Sequence, residues 1–235
     1  MHNILTAFAD FLFPRYCLIC GNHLSIMERE ICIHCNMDLP RTFLWENAKE
    51  NNLVKKFYGK ATIHKAAAFI YYHAHSDTAN LFYSFKYGNE PHVAVEMGTM
   101  AAKEMVKSGF FDNIDCLIPV PLNKHKEKLR GYNQSEKLAY GISKATGIKI
   151  VRRTITRKKH TASQTRMNAF ERQDNMDNVF ELTQQANELM GKHCLLIDDV
   201  ITTGATIGAC ARTLSAIDNV SVSIFALGCV KDKNG

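Results

Sequence analysis

The chain has 235 residues, of which 46% are apolar and 22% charged. These are ordinary globular proportions that exclude a disordered chain and a polytopic membrane protein, and the length suits one main core with a small appendage. The net charge of +6 is concentrated in "KHKEKLR" (124–130) and "RRTITRKKH" (152–160), which are either solvated faces or sites for an anionic ligand such as phosphate or nucleic acid.

At the start, "LTAFADFLFP" (5–14) is broken by Asp10, lacks a cationic lead-in and is too short to cross a bilayer. No signal peptide, transmembrane helix or membrane insertion is expected, and the expected location is the cytoplasm. The next feature is a pair of knuckles, "CLIC" (17–20) and "CIHC" (32–35), with the spacing C-x2-C-x11-C-x2-C. Two such knuckles on a short hairpin bring Cys17, Cys20, Cys32 and Cys35 to one tetrahedral centre, as a Zn2+ ribbon needs. His34 is an alternative ligand, and four buried or disulfide-bonded cysteines are the plainer reading. Four thiolates leave no open coordination position, so the expected ion is structural. Cys116, Cys194, Cys210 and Cys229 lie in apolar patterns and read as core.

We expect a zinc-ribbon-like segment over 1–45, a connection over 46–61 and the main domain over 62–235. In that domain "AAAFIYYH" (66–73) reads as a strand and "DTANLFYSFKYG" (77–88) as a helix with an Asp start and a Gly stop. A longer helix over 92–109, a strand over 115–121, a helix over 133–147 and the strand "IKIVRRTI" follow. Beyond the aperiodic stretch 157–177 come "NVFEL", a short helix near 184–190, the strand "HCLLID", a helix over about 204–217 and the strand "VSVSIFALGCV". Strands alternating with helices predict an open, mainly parallel α/β sheet covered on both faces, with ligands at the carboxyl ends of its strands.

The stretch "CLLIDDVITTGATI" (194–207) carries the sharpest chemistry. A continuous apolar run ends on Asp198 and Asp199, and Thr202, Thr203, Gly204, Ala205 and Thr206 lead into a helix. Free amides, hydroxyls and glycine at a helix N-terminus suit a phosphate, whereas paired carboxylates suit sugar hydroxyls. A ribose 5-phosphate meets both demands; the plainer reading is a capped helix beside a solvated acidic pair. No G-x4-G-K-[ST] nucleotide loop is present.

"LLIDDVITTGAT" resembles the phosphoribosyl pyrophosphate (PRPP) motif of type I phosphoribosyltransferases. Together with the cysteine knuckles, "IPVPLNKHKEKLRGYNQSEKLA" (118–139) and "RKKHTASQTRMNAFERQDN" (157–175), it makes the chain similar to the ComF family of competence proteins, relatives of amidophosphoribosyltransferase. That resemblance implies a type I phosphoribosyltransferase-like fold, a PRPP or ribose 5-phosphate ligand bound with Mg2+, and a link to uptake of single-stranded DNA and to other DNA-uptake proteins. By analogy, Leu122, Asn123, Lys124 and Arg130 are candidates for the pyrophosphate loop "PLNKHK" and its neighbourhood. Gly131, Asn133 and Gln134 recur in the family pattern near the site, although Asn133 with Glu136 also reads as a capping box. The stretch 157–177 would be a flexible hood, from which Lys158, Lys159, Gln164 and Arg172 reach pyrophosphate or a nucleic-acid strand.

No Ser-His-Asp or Cys-His nucleophile is evident, and His160 reads as polar surface. Catalysis, if present, would rest on positioning and on neutralising the leaving group. The expected function is ribose 5-phosphate transfer from PRPP to an unidentified acceptor. The alternative is a non-catalytic single-stranded-DNA-binding competence factor that uses the PRPP site as a sensor or phosphate foothold. A duplex-DNA regulator ranks last, for want of a basic recognition helix beside the ribbon.

Overall fold

A computed structural model describes residues 14–158 and 179–231. Five strands form one wholly parallel sheet in the order β1 (Ala66–Tyr71), β7 (Ser221–Cys229), β6 (His193–Ile201), β2 (Cys116–Pro119) and β3 (Lys149–Ile150). A two-stranded antiparallel sheet, β4 (Ile155–Arg157) with β5 (Phe180–Leu182), stands beside it.

The central strands carry unbroken apolar runs, 194–197 in β6 and 224–227 in β7, because both faces of the sheet are covered there. Period-two alternation divides their side chains between two buried clusters. Phe69, Leu117, Leu195, Ile197, Phe225 and Leu227 pack with α3 (Ala79–Tyr87), α4 (Pro91–Met105) and α6 (Gln134–Thr146). Cys116, Ile118, Cys194, Leu196, Ile224 and Ala226 pack on the other face with α2 (Asn52–Lys55) and α7 (Ala205–Leu214). The open parallel α/β architecture expected from the sequence is therefore present, and Cys116, Cys194, Cys210 and Cys229 are buried as read.

The stretch read as a connection adds to this core. Its Phe57, 1% exposed, belongs to the second cluster, and Trp45, just ahead of that stretch in the segment 1–45, packs on Phe69 with ring centroids 5.8 Å apart. Ahead of it, the knuckle segment with its short helix α1 (Ile33–Met37) lays Cys17, Leu24, Ile31 and Leu39 into the first cluster. Arg41 ties that segment to α4 through an ion pair with Glu104.

The second half of the expected loop "PLNKHK" (121–126) is helical. The residues "KHKEKLR" form α5 (Lys124–Arg130), opened by the Asn123 side chain accepting from His125 N–H at 2.9 Å and closed by Gly131 at φ 75°. An N-cap amide and a C-terminal glycine flank the run in the sequence itself. Strand β6 also runs three residues past the expected stop at 198. Among the described residues no helix is long and apolar enough to cross a membrane.

Candidate functional site

The chain leaves β2 toward β3 and leaves β6 toward β7, in opposite directions across the sheet, so the strand order reverses between β2 and β6. Such a switch point opens a crevice at the carboxyl ends of the two strands. Here the crevice is held open by side chains. The pairing of β2 with β6 ends at Pro119 and Ile197, followed by Val120 N–H donating to the Ile197 carbonyl at 2.9 Å. The next rung would join Asp199 N–H to the Val120 carbonyl. Instead Asp199 N–H donates to Asp198 Oδ1 at 2.9 Å, and the Val120 carbonyl accepts from Asn133 Nδ2 at 3.0 Å. On its other side β6 stays paired with β7 as far as Ile201 and Cys229. The acids thus sit on a strand supported on one side and open on the other.

The resulting cleft, about 290 Å3, is lined by Asp198, Asp199, Thr202, Thr203, Gly204, Ala205 and Thr206, the seven residues expected at a PRPP site. Gly204 takes φ 78° and turns the chain from β6 into α7, whose first intrahelical bond runs from Gly208 N–H to the Gly204 carbonyl at 2.8 Å. The amides of the first turn have no intrahelical acceptor. Ala205 N–H donates to Thr203 Oγ1 at 3.3 Å.

Each acid is already engaged. Asp198 Oδ1 also accepts from Ser135 Oγ at 3.1 Å, and Asp199 Oδ1 accepts from Val200 N–H at 2.7 Å. Asp199 Oδ2 accepts from Gln134 Nε2 at 3.1 Å and pairs with Lys86 Nζ at 3.0 Å. Burial, and then the negative charge of Asp199, push the Asp198 carboxyl up to about 8. Two carboxyls this close favour keeping a proton on Asp198, and Lys86 offsets charge at Asp199. An acidic pair in this state repels a phosphate far less than two free carboxylates would.

Of the residues read as a pyrophosphate loop and its neighbours, Leu122, Arg130 and Gln134 line the cleft. Lys124 and Asn133 instead line an adjoining groove of about 280 Å3 between α5 and β4, while Lys126 reaches the cleft. The loop expectation placed Lys124 at the site; helical α5 turns it aside and brings Lys126 in. Asn123 and Gly131 cap α5, and Asn133 caps α6 by accepting from Ser135 N–H at 2.9 Å. Of the hood residues, Lys158 follows β4, with its N–H donating to the Val179 carbonyl at 2.9 Å. Lys159, His160, Gln164 and Arg172 lie outside the described residues.

Lys86, Tyr87, Ser135 and Arg157, none of them assigned to the sugar site from the sequence, also line the cleft. Arg130 stacks on the Tyr87 ring, 5.2 Å from its centroid, and Arg157 on Phe180 at 4.8 Å. Lys86 and Tyr87 lie in an aromatic helix with no recognisable motif, so only the tertiary structure brings them to the acids.

At the other end of the chain the sulfurs of Cys17, Cys20, Cys32 and Cys35 all lie within 4.8 Å of one another, with Cys20 and Cys32 at 3.8 Å. Tetrahedral coordination with Zn–S bonds of about 2.3 Å requires edges of about 3.8 Å. Cys32 N–H points at Cys17 Sγ from 3.3 Å and Cys35 N–H at Cys32 Sγ from 3.5 Å. Amide hydrogen bonds draw the Cys17 thiol down to about 7 against the opposing effect of burial, whereas burial pushes the Cys35 thiol up. The four sulfurs could hold a metal ion such as zinc.

No family model matches the chain. Curated relatives do. Over 113 residues (48% of this chain) it is 33% identical to competence protein F of Haemophilus influenzae. Over 150 residues (63%) it is 28% identical to the DNA utilization protein YhgH of Salmonella typhimurium. The chain is a homologue of the ComF-type competence proteins. The matches span 49% of the Haemophilus protein and 65% of the Salmonella one. Among solved structures, glutamine PRPP amidotransferase from B. subtilis, complexed with ADP and GMP, aligns with a TM-score of 0.38 and 20% identity. That alignment covers 56% of this ComF homologue and 25% of the amidotransferase.

Proposed function

We propose that this ComF homologue binds PRPP in the cleft between β2 and β6 and transfers its ribose 5-phosphate to an acceptor. The observation that carries the reading is the convergence, at a strand-order reversal, of the Asp198–Asp199 pair with the Thr202–Thr206 turn. The first-turn amides of α7 and the threonine hydroxyls receive the 5-phosphate, while the two carboxyls receive the ribose hydroxyls. Arg130, Arg157 and Lys126 border the same cleft and face the diphosphate. Neutralising that leaving group favours cleavage of the bond from C1 to the diphosphate oxygen, and fixed cations do so without reorganising.

Mg2+ suits this donor set, since it is bound through one or two carboxylates together with ligand phosphates; Asp198 and Asp199 would hold it. Bound there, it would add charge compensation to the diphosphate. In the knuckle segment Cys17, Cys20, Cys32 and Cys35 would hold a structural Zn2+, with no open position for chemistry. The residue ranges 1–45, 46–61 and 62–235 remain the proposed domain division, and the stretch 157–177 the proposed hood.

Calorimetric titration of PRPP with Mg2+ into wild type and into an Asp198→Asn, Asp199→Asn variant tests the binding. We expect heat from wild type and a loss of at least tenfold in affinity in the variant; equal affinities would remove the ribose assignment. Diphosphate release in the presence of bases, amines and oligonucleotides then tests for transfer.

A second reading, a single-stranded-DNA-binding competence factor without catalysis, draws support from α5. That helix carries Lys124, Lys126, Lys128 and Arg130 with exposed Leu129, and Tyr87 lies exposed against Arg130. Cations beside exposed rings suit a single strand. PRPP bound without turnover, with salt-dependent oligonucleotide binding, would favour it.

A further inference from the structure

Three donors already share the Asp199 carboxylate, two of them on the oxygen Oδ2. Its Oδ1 is occupied by Val200 N–H at 2.7 Å, and its Oδ2 receives both Gln134 Nε2 at 3.1 Å and Lys86 Nζ at 3.0 Å. The ion pair is well shielded, with 18% of the Lys86 side chain and 12% of the Asp199 side chain exposed. A hydroxyl that approaches Oδ2 enters only by displacing one of its two donors.

Gln134 is the poorer candidate to leave. Asp199, as a carboxylate, only accepts, so the amide nitrogen must face it and the amide oxygen must face away. That oxygen is buried with no hydrogen-bond partner, and Gln134 as a whole is 5% exposed. Breaking the Nε2 contact would strand the whole amide.

Lys86 sits on a flexible stem at the end of α3, with its ammonium 5.7 Å from the Phe82 ring centroid. It can swing away, but a shielded ammonium without an anion is costly. The cost disappears if the ligand brings an anion of its own into the cleft. Arg130 and Arg157 are each stacked on a ring, so Lys86 differs from both in resting on the acid that the sugar needs.

We infer that Lys86 is a specificity-determining residue that closes the sugar site until a ligand with a second anionic group, a diphosphate at C1, draws its ammonium from Asp199. The inference rests on the PRPP reading above and deepens it. A sugar carrying only the 5-phosphate leaves Lys86 without a new partner and competes against the closed pair. The diphosphate sugar opens the site and gains a charge-assisted contact. Lys86 thus penalises the product-like ligand and favours the donor.

The test is titration of PRPP and of ribose 5-phosphate, each with Mg2+, into wild type, Lys86→Met and Lys86→Arg. Methionine keeps the stem over Phe82 and removes the charge. We expect Lys86→Met to bind PRPP about tenfold more weakly and ribose 5-phosphate as well as or better than wild type, and Lys86→Arg to retain the preference. A merely structural role would weaken both ligands together, so a parallel loss in Lys86→Met, or no change in either, overturns the inference while leaving PRPP binding by wild type intact. If wild type binds neither sugar, the ribose reading falls and the inference falls with it.

Discussion

Gly204 separates two costs that a single substitution usually mixes. It holds φ 78° at the start of α7, and a Cβ built there would lie 2.9 Å from Phe57 Cε1 and 3.1 Å from Phe57 Cζ. Alanine at this φ costs about 1–2 kcal/mol. The ring cannot retreat, because Phe57 is 1% exposed within the second core cluster, and overpacking of that kind adds about 1–3 kcal/mol. Gly204→Ala should therefore destabilise the chain by about 2–5 kcal/mol. Gly131 is the internal control, since it has φ 75° with nothing within 4 Å of the built Cβ, so Gly131→Ala bears only the backbone cost. The entropy that alanine removes from the unfolded chain is common to both and cancels in the comparison. Urea unfolding followed by circular dichroism reads the difference directly. At about 2–4 °C per kcal/mol for a chain of this size, melting should fall on the order of 10 °C for Gly204→Ala and a few degrees for Gly131→Ala. Variants that agree within about 0.5 kcal/mol would show that the turn does not rest on Phe57.

Two further outcomes follow from ionisation and metal binding. Burial and the neighbouring Asp199 charge raise the Asp198 carboxyl from the ordinary aspartate range to about 8, so folding takes up a proton across that window. The stability contributed by this group is fully present below about pH 4 and is lost as pH rises toward 8. Denaturation midpoints taken across this range should slope downward for wild type and flatten in Asp198→Asn; identical slopes would contradict the buried, proton-holding carboxyl. The cysteine cluster should carry one zinc per chain by elemental analysis. Because Cys17 and Cys32 share a buried cluster with Phe69 and Leu195, a chelator should lower the melting temperature of the whole chain by roughly 10 °C or more. A chain that binds no metal, or melts alike with and without chelator, would refute the site.

The parallel sheet was legible because strands covered on both faces leave an unbroken apolar run, as in "CLLI" ahead of the acids. The acidic pair with its small-residue turn was legible because its chemistry is contiguous in the chain. What was not legible comes from distant elements. Lys86 and Tyr87 are ordinary residues of α3 that the fold swings over the acids, and Ser135 looks like any residue in the first turn of a helix. The stretch 46–61 reads as polar connection, yet its Phe57 is the floor beneath Gly204. Helical α5 was legible in principle, because Asn123 and Gly131 flank "KHKEKLR" as an N-cap amide and a C-terminal glycine.

Asn133 shows how a residue can shape a site without lining it. Its Oδ1 accepts from Ser135 N–H and its Nδ2 donates to the Val120 carbonyl. The first contact starts α6, which sets Ser135 and Gln134 against Asp198 and Asp199. The second takes the acceptor that would otherwise extend the ladder between β2 and β6. With that acceptor occupied, Asp199 N–H turns to the neighbouring carboxyl and the strands part where a ligand would enter. One amide side chain thus couples the opening of the crevice to the arming of its acids. Backbone hydrogen bonding alone gives Asn133 its place here, with no contact to a ligand required of it.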